Sequence, residues 1–183
     1  MNDDITAVRS LKNGDISGLE MLVCRYQVKA IRAAYLIVRE EQLAEDIVQE
    51  TFLRIFKHIR RFDESRPFEP YLLRSVVNAA LDMSQKSSKH EQISVGIDSV
   101  EDLIQQAISV ENQVEFKALK LEIHQALGKL SPRQRTAIVM RYFLGMSEKE
   151  MAEDLNTAPG TIKWLLNAAR ERLRWLLSGR SAE

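Results

Sequence analysis

Three groups of residues have types and spacings that could do chemistry. In the first, Arg60, Arg61, Phe62, Arg66, Tyr71 and Arg74 interleave basic with aromatic side chains, and Asn78 and Asp82 follow. Guanidinium groups meet phosphates, an aromatic ring stacks on an unpaired base and asparagine reads a base edge, so this stretch suits single-strand capture. A helix would put Tyr71, Arg74, Ser75, Asn78, Asp82 and Gln85 on one polar side, although Tyr71 could equally serve as a helix-end packing residue. The second group runs from Met146 to Lys163. It combines the capping box Ser147-Glu148-Lys149-Glu150, a turn at Asn156 that tolerates left-handed backbone, and a helix opened by Pro159-Gly160. Ala152 is small enough for close helix crossing, and the whole has the form of a helix-turn-helix that enters a major groove. An ordinary helical hairpin is the rival. In the third group, Asp46, Gln49, Glu50 and Leu53 recur at i, i+3, i+4 and i+7. An acidic face holding a leucine suits a basic protein groove better than phosphate; a solvated charged face is the plainer alternative.

Catalytic chemistry has no comparable support. His58, His90 and His124 fall in separate segments, and the sequence has no phosphate-binding glycine loop, metalloprotease motif or nucleophile elbow. Glu148, Glu150, Glu153 and Asp154 read as caps and surface charges. No enzyme, cofactor or metal site is expected. Cys24 is the single cysteine, which rules out an internal disulfide and a thiolate zinc site; it falls on the apolar side of its helix and is expected to be packed. The N-terminus is acidic and lacks the signal-peptide pattern. The longest stretch free of Asp, Glu, Lys and Arg, Leu103 to Val110, is eight residues, so a soluble cytoplasmic chain is expected.

These groups must be held by helices. With 7 Gly and 4 Pro in 183 residues, the chain has too few breakers for a hairpin-rich fold. The first helical signal is Ile16, Leu19, Leu22, Val23, Tyr26, Ala30, Ala33, Ala34 and Ile37, with Ser17 and Glu20 as a possible capping box. A second helix from Glu41 to Ile59 should bury Val48, Phe52, Ile55, Phe56 and Ile59. A third, with Pro70 in its first turn, should reach Lys86. The apolar period then fails, giving a linker over 87–110. Past it, a helix containing Val114, Leu119, Leu121, Ile123 and Leu127 ends near Gly128. Ser131-Pro132-Arg133-Gln134 caps the next helix, the Ser147 helix stops near Leu155, and the last should bury Ile162, Leu166, Ala169, Leu173 and Leu177. The expected fold is all-α: a helical domain over 1–86, the linker, and a helix-turn-helix domain over 111–183.

The formal net charge is zero, with 26 basic and 26 acidic residues. By block it alternates: −3 over residues 1–53, +4 over 54–90, −4 over 91–130 and +3 over 131–183. The basic blocks hold the two candidate nucleic-acid readers. The acidic blocks hold the helix carrying Asp46 and the linker, so the chain should bind DNA poorly alone and better when a protein partner positions both readers.

Taken in order, the segments resemble bacterial sigma factors of the extracytoplasmic-function group. Ala44-Glu45-Asp46-Ile47-Val48-Gln49-Glu50-Thr51-Phe52-Leu53 resembles region 2.2. Phe68-Glu69-Pro70-Tyr71-Leu72-Leu73-Arg74-Ser75-Val76-Val77-Asn78-Ala79-Ala80-Leu81-Asp82 resembles regions 2.3 and 2.4, and Leu130 through Arg170 resembles region 4. The resemblance implies that Asp46, Gln49, Glu50 and Leu53 dock on the β′ clamp helices of core RNA polymerase. It implies that Arg60, Arg61, Phe62, Arg66, Tyr71, Arg74, Asn78 and Asp82 open and read a −10 element, with a base captured by the loop near Phe62 to Phe68. It further implies that Arg133, Thr157, Pro159, Thr161, Lys163, Trp164, Asn167 and Arg170 read a −35 element while region 4 rests on the β flap. The linker would thread through the polymerase, and an anti-sigma factor would be a further partner.

Some positions depart from the family pattern. Tyr71 stands where a tryptophan is usual, and the arginine-rich run after Asp82 is Met83-Ser84-Gln85-Lys86-Ser87-Ser88-Lys89. After Gly-Thr-x-Lys the family run is Ser-Arg-Leu-x-Arg-Ala-Arg; here Trp164 replaces the serine, and Leu165 and Ala168 replace two arginines. Loss of two phosphate contacts would lower the salt slope by about two. Trp164 and Trp175 share the side of the last helix opposite its core stripe, and either pack internally or meet a partner. The alternative function is accordingly a sigma-like regulator with weakened DNA reading that acts mainly through protein contacts.

Overall fold

The computed structural model describes the backbone of residues 2–87 and 113–178, and the side chains of 3–86 and 121–178. Every regular element among them is helical. The chain divides into two compact units, Met1–Asp82 and Met83–Glu183. The division falls a few residues before the expected boundary at 86, within a continuous helix. The expected linker lies almost wholly outside the described residues.

In the first unit, α1 (Asn2–Lys12), α2 (Ser17–Val38), α3 (Glu41–His58) and α4 (Phe68–Ser87) surround one core. The apolar pattern places α2 at its centre, packed along both α1 and α3. Leu22, Tyr26, Ala30, Ala33, Ala34 and Ile37 are buried on it, and the alanines let neighbouring backbones approach. Gly18 serves the same end more sharply. A Cβ there would stand 2.2 Å from the Ala7 carbonyl oxygen, so only glycine allows α1 this close. The N-terminal end of α1 is anchored by Asp4, which accepts from Arg25 and from the Tyr26 hydroxyl. Burial, followed by that bond to Asp4, raises the Tyr26 pKa well above the ordinary phenol value.

Several expectations for this unit are corrected. The Ser17–Glu20 capping box does not form; α2 starts instead with the Ser17 amide donating to Asp15 Oδ1 at 3.0 Å. A carboxylate two residues back satisfies the first-turn amide more directly than the serine could, and the Ser17 bonds depress the Asp15 pKa. Of the expected stripe of α3, Val48, Phe52, Ile55 and Ile59 are buried but Phe56 is exposed, because the buried face extends instead to Ala44, Ile47 and Thr51. Ile16 is exposed, preceding the helix it was expected to join. Cys24 is exposed rather than packed, since the buried face of α2 is centred on Leu22, Tyr26 and Ala30.

The second unit contains α5 (Gln113–Gly128), α6 (Pro132–Ile138), α7 (Glu148–Asp154) and α8 (Pro159–Ser178). Leu121 and Ile123 on α5 are exposed whereas Leu127 is buried. Both expected capping boxes are present: Ser131 with Gln134, and Ser147 with Glu150. A π-helical turn, Val139–Phe143, continues α6, and Gly145 takes a positive φ of 70° where the chain reverses into α7. Arg135 is buried, and its guanidinium donates to the carbonyls of Leu127 at 3.0 Å and Leu130 at 3.1 Å. It thereby closes the C-terminal end of α5, where positive charge complements the helix dipole. Asn156 adopts φ 46° after α7, as its residue type suggested. The core of α8 is Ile162, Leu165, Leu166 and Ala169, while Leu173 and Leu177 are only half-buried.

Candidate nucleic-acid and polymerase interface

On α3, the face opposite the core carries Asp46, Gln49, Glu50 and Leu53, all exposed. Leu53 is 54% exposed, and Phe56 at i+3 extends the apolar spot that its sequence pattern had assigned to the core. The helix beneath is fixed by fully packed residues on its other side. This face is therefore an acidic surface with an apolar C-terminal end.

After α3 a single 3₁₀ turn, Ile59–Arg61, holds Arg60 and Arg61 in solvent. The following loop is built tightly. Asp63 Oδ1 accepts from the Ser65 amide at 3.0 Å and from its hydroxyl at 2.7 Å, which lowers the Asp63 pKa. Lys12 of α1 donates to the Phe62 carbonyl at 2.8 Å and to Glu64 at 2.9 Å, and Arg9 pairs with Glu64 at 2.8 Å. These partners hold the Glu64 carboxyl below its usual pKa, Arg9 having the larger effect. The sequence pattern contained no sign of this tether, because its two halves are about fifty residues apart.

Phe62 is not a free ring. It is buried at 9% exposure and lies 5.8 Å from the Phe68 ring and 4.9 Å from Tyr71. It lies beneath the outermost ring of the cluster, Tyr71, which is 38% exposed. Arg74, Ser75, Asn78 and Gln85 are half-exposed on the same side of α4, and Asp82 is exposed. Arg66 is exposed and lies 3.5 Å from Asp63. Between α1 and the loop there is a pocket of about 240 Å³, lined by Ile5, Val8, Phe62, Arg66, Phe68 and neighbouring residues.

In the second unit, α7, the Asn156 turn and α8 form a helix-turn-helix. Arg133, Pro159, Thr161, Lys163, Trp164 and Asn167 are exposed, and Thr157 and Arg170 are half-exposed. Arg170 is oriented by two bonds, its Nε donating to the Tyr142 hydroxyl at 2.9 Å and Nη1 to Asn167 Oδ1 at 3.3 Å. Tyr142 was not anticipated; it comes from the π turn, which sequence periodicity does not reveal. Leu165 is 6% exposed and faces the core. It is a packing residue, whereas Ala168, the other position where the family run has arginine, is half-exposed. Trp164 and Trp175 are 64% and 65% exposed, so neither packs into the core of its own unit.

Residues 22–90 match the family model of sigma-70 region 2, and residues 120–173 that of sigma-70 region 4. The ECF RNA polymerase sigma factor SigW of Bacillus subtilis is 30% identical over 173 residues, covering 91% of this chain and 92% of SigW. This chain belongs to the ECF sigma factors. The ECF sigma factor SigL of Mycobacterium tuberculosis is 32% identical, over 80% of this chain and 81% of its own length. Among solved structures, the sigma factor RpoE of Bartonella quintana, determined with the anti-sigma factor NepR, matches with a TM-score of 0.61 at 26% identity; the match covers 87% of this chain and 94% of RpoE. CnrH, determined with the cytosolic domain of CnrY, shares the fold at a TM-score of 0.66, 22% identity and 97% and 99% coverage. As an ECF sigma factor, the protein acts in promoter-specific transcription initiation. No helix among the described residues is long and apolar enough to cross a membrane.

Proposed function

We propose that this sigma factor divides its work among the three surfaces described above. The α3 face of Asp46, Gln49, Glu50 and Leu53, enlarged by Phe56, docks on the β′ clamp helices of core polymerase. Tyr71, braced by Phe62 and Phe68, stacks on an unpaired base of the −10 element, while Arg60, Arg61, Arg66 and Arg74 hold its phosphates and Asn78 and Asp82 face base edges. The pocket beside the loop suits a base turned out of the strand. Arg133, Thr157, Pro159, Thr161, Lys163, Trp164, Asn167 and Arg170 meet the −35 element, and this unit rests on the β flap. The protein performs no catalysis of its own and works in the cytoplasm, where its polymerase is. The RpoE–NepR pairing supports an anti-sigma factor as a further partner.

The observation that carries this reading is Leu53, a large apolar side chain held in solvent at the end of an acidic face that the fold does not need. Run-off transcription with purified core polymerase tests it. Leu53→Asp should abolish holoenzyme assembly and transcription together. Tyr71→Ala should leave assembly intact and weaken opening by about 1–3 kcal/mol, the value of one base–aromatic stack. Normal assembly by Leu53→Asp would refute the docking assignment.

A further inference from the structure

We propose that Trp164 is a specificity-determining residue of this sigma factor and that it selects thymine, pressing its indole on 5-methyl groups in the major groove of the −35 element. The inference rests on the −35 assignment above and goes beyond it by naming the base and the contact.

The geometry of α8 singles out this residue. Its core side is Ile162, Leu165, Leu166 and Ala169. Directly opposite are Gly160, Trp164, Asn167 and Glu171, all exposed, so Trp164 occupies the middle of the outward face. It is the sixth residue of the helix, about 7.5 Å from its start, within the N-terminal part that a recognition helix presents to base edges. Helical side chains lean toward the N-terminus. Gly160, one turn earlier on the same face, has no Cβ and nothing within 4 Å of the place one would occupy, so the approach to the indole from that side is open. Lys163 and the oriented Arg170 lie together on one flank of this face, available to phosphates. Glu171 ends the DNA-compatible stretch, because a carboxylate on the same face repels the phosphate backbone. Trp175, beyond it and covered by Arg172 at 4.8 Å, is excluded from the contact.

Thymine follows from chemistry. An indole is apolar apart from one N–H donor. The polar edges of guanine, adenine and cytosine would be stripped of water beneath it without replacement bonds. Only thymine offers the groove a methyl group. Where the family run places serine, a small hydroxyl, this chain places an apolar plate.

The test uses holoenzyme and a duplex pool randomised through the −35 element. Wild-type holoenzyme should enrich thymine at one or two positions, and Trp164→Ser should lose that preference. In the selected site each thymine is then replaced singly by deoxyuridine, which removes only the methyl. Wild-type affinity should fall about fourfold at a contacted position, as expected for one buried carbon-sized group, and Trp164→Ser should bind both duplexes equally. Lys163→Ala serves as a control that weakens binding to both alike. Equal wild-type binding of thymine and deoxyuridine sites, with Lys163→Ala still weakening both, overturns the inference and leaves the −35 assignment standing. Indifference of the wild-type holoenzyme to the −35 sequence overturns both.

Discussion

Gly18→Ala sets helix propensity against packing, and the structure says which wins. Replacing glycine by alanine in a helix interior gains up to about 1 kcal/mol. Gly18 is the second residue of α2, where the gain is smaller. Against this, the new Cβ would meet the Ala7 carbonyl oxygen at 2.2 Å and the Leu11 amide nitrogen at 2.9 Å. Both are backbone atoms and cannot rotate away, so α1 must move outward by about 1 Å. Ala7, Val8 and Leu11, which are almost completely buried, then lose part of their packing. A gap of 0.5–1 Å forfeits about a quarter to a half of each contact. Full burial of Val8 and Leu11 is worth about 1.5–3 kcal/mol each, so the loss is about 1–2 kcal/mol, within the usual range for overpacking. The net effect is destabilisation of the first unit by about 1 kcal/mol, with α1 the first element to open. Tryptophan fluorescence would miss it, since both tryptophans are in the second unit. Hydrogen exchange across residues 2–12, with far-UV circular dichroism in urea, is the suitable measurement. Because Lys12 and Arg9 reach Phe62 and Glu64 from α1, the variant should also open promoters less well while assembling normally on core polymerase. Unchanged or increased protection of α1 would refute the argument.

Two further outcomes follow from local geometry. Ser147→Ala removes the acceptor of the Glu150 amide and half of a reciprocal cap; it should destabilise the second unit by about 1 kcal/mol, read as a lower urea midpoint of tryptophan fluorescence. Glu64 is held below its ordinary pKa, mainly by Arg9 and then Lys12. Its contribution is therefore complete above the unfolded value, about 4.3, and is lost as pH falls through the folded value. Exchange protection of the loop and of α1 should drop over that acid range, and in Glu64→Gln this component of the drop should be missing.

Much of the helical framework was legible because its signals are local. A capping box lies within four residues, so Ser131 and Ser147 marked helix starts that the structure repeats, and Asn156 announced its own left-handed turn. The acidic face of α3 was readable from i, i+3, i+4 and i+7 spacing, with Leu53 at its end. Misassignments came where a face had to be centred without knowing the neighbours. Phe56 and Cys24 were placed inward by a stripe drawn too wide or too far round, and Leu165 was read as a missing surface arginine although its position faces the core. α1 was passed over because its apolar residues, Ile5, Ala7, Val8 and Leu11, are few and sit in an acidic segment.

Composition, caps and period by themselves determined that this is a helical protein with an acidic face, an aromatic–basic stretch and a helix-turn-helix, because each depends on residues within a few turns of one another. Only the tertiary structure decided which aromatic ring faces outward. Phe62 and Tyr71 look alike in the sequence as members of one interleaved run, yet Phe62 is the buried support and Tyr71 the exposed plate. The tertiary structure likewise joined Lys12 to the loop and Tyr142 to Arg170. The physical reason is common to these cases. Burial and long-range hydrogen bonding depend on what other elements bring alongside, and for Lys12 and Phe62 that neighbour is fifty residues away.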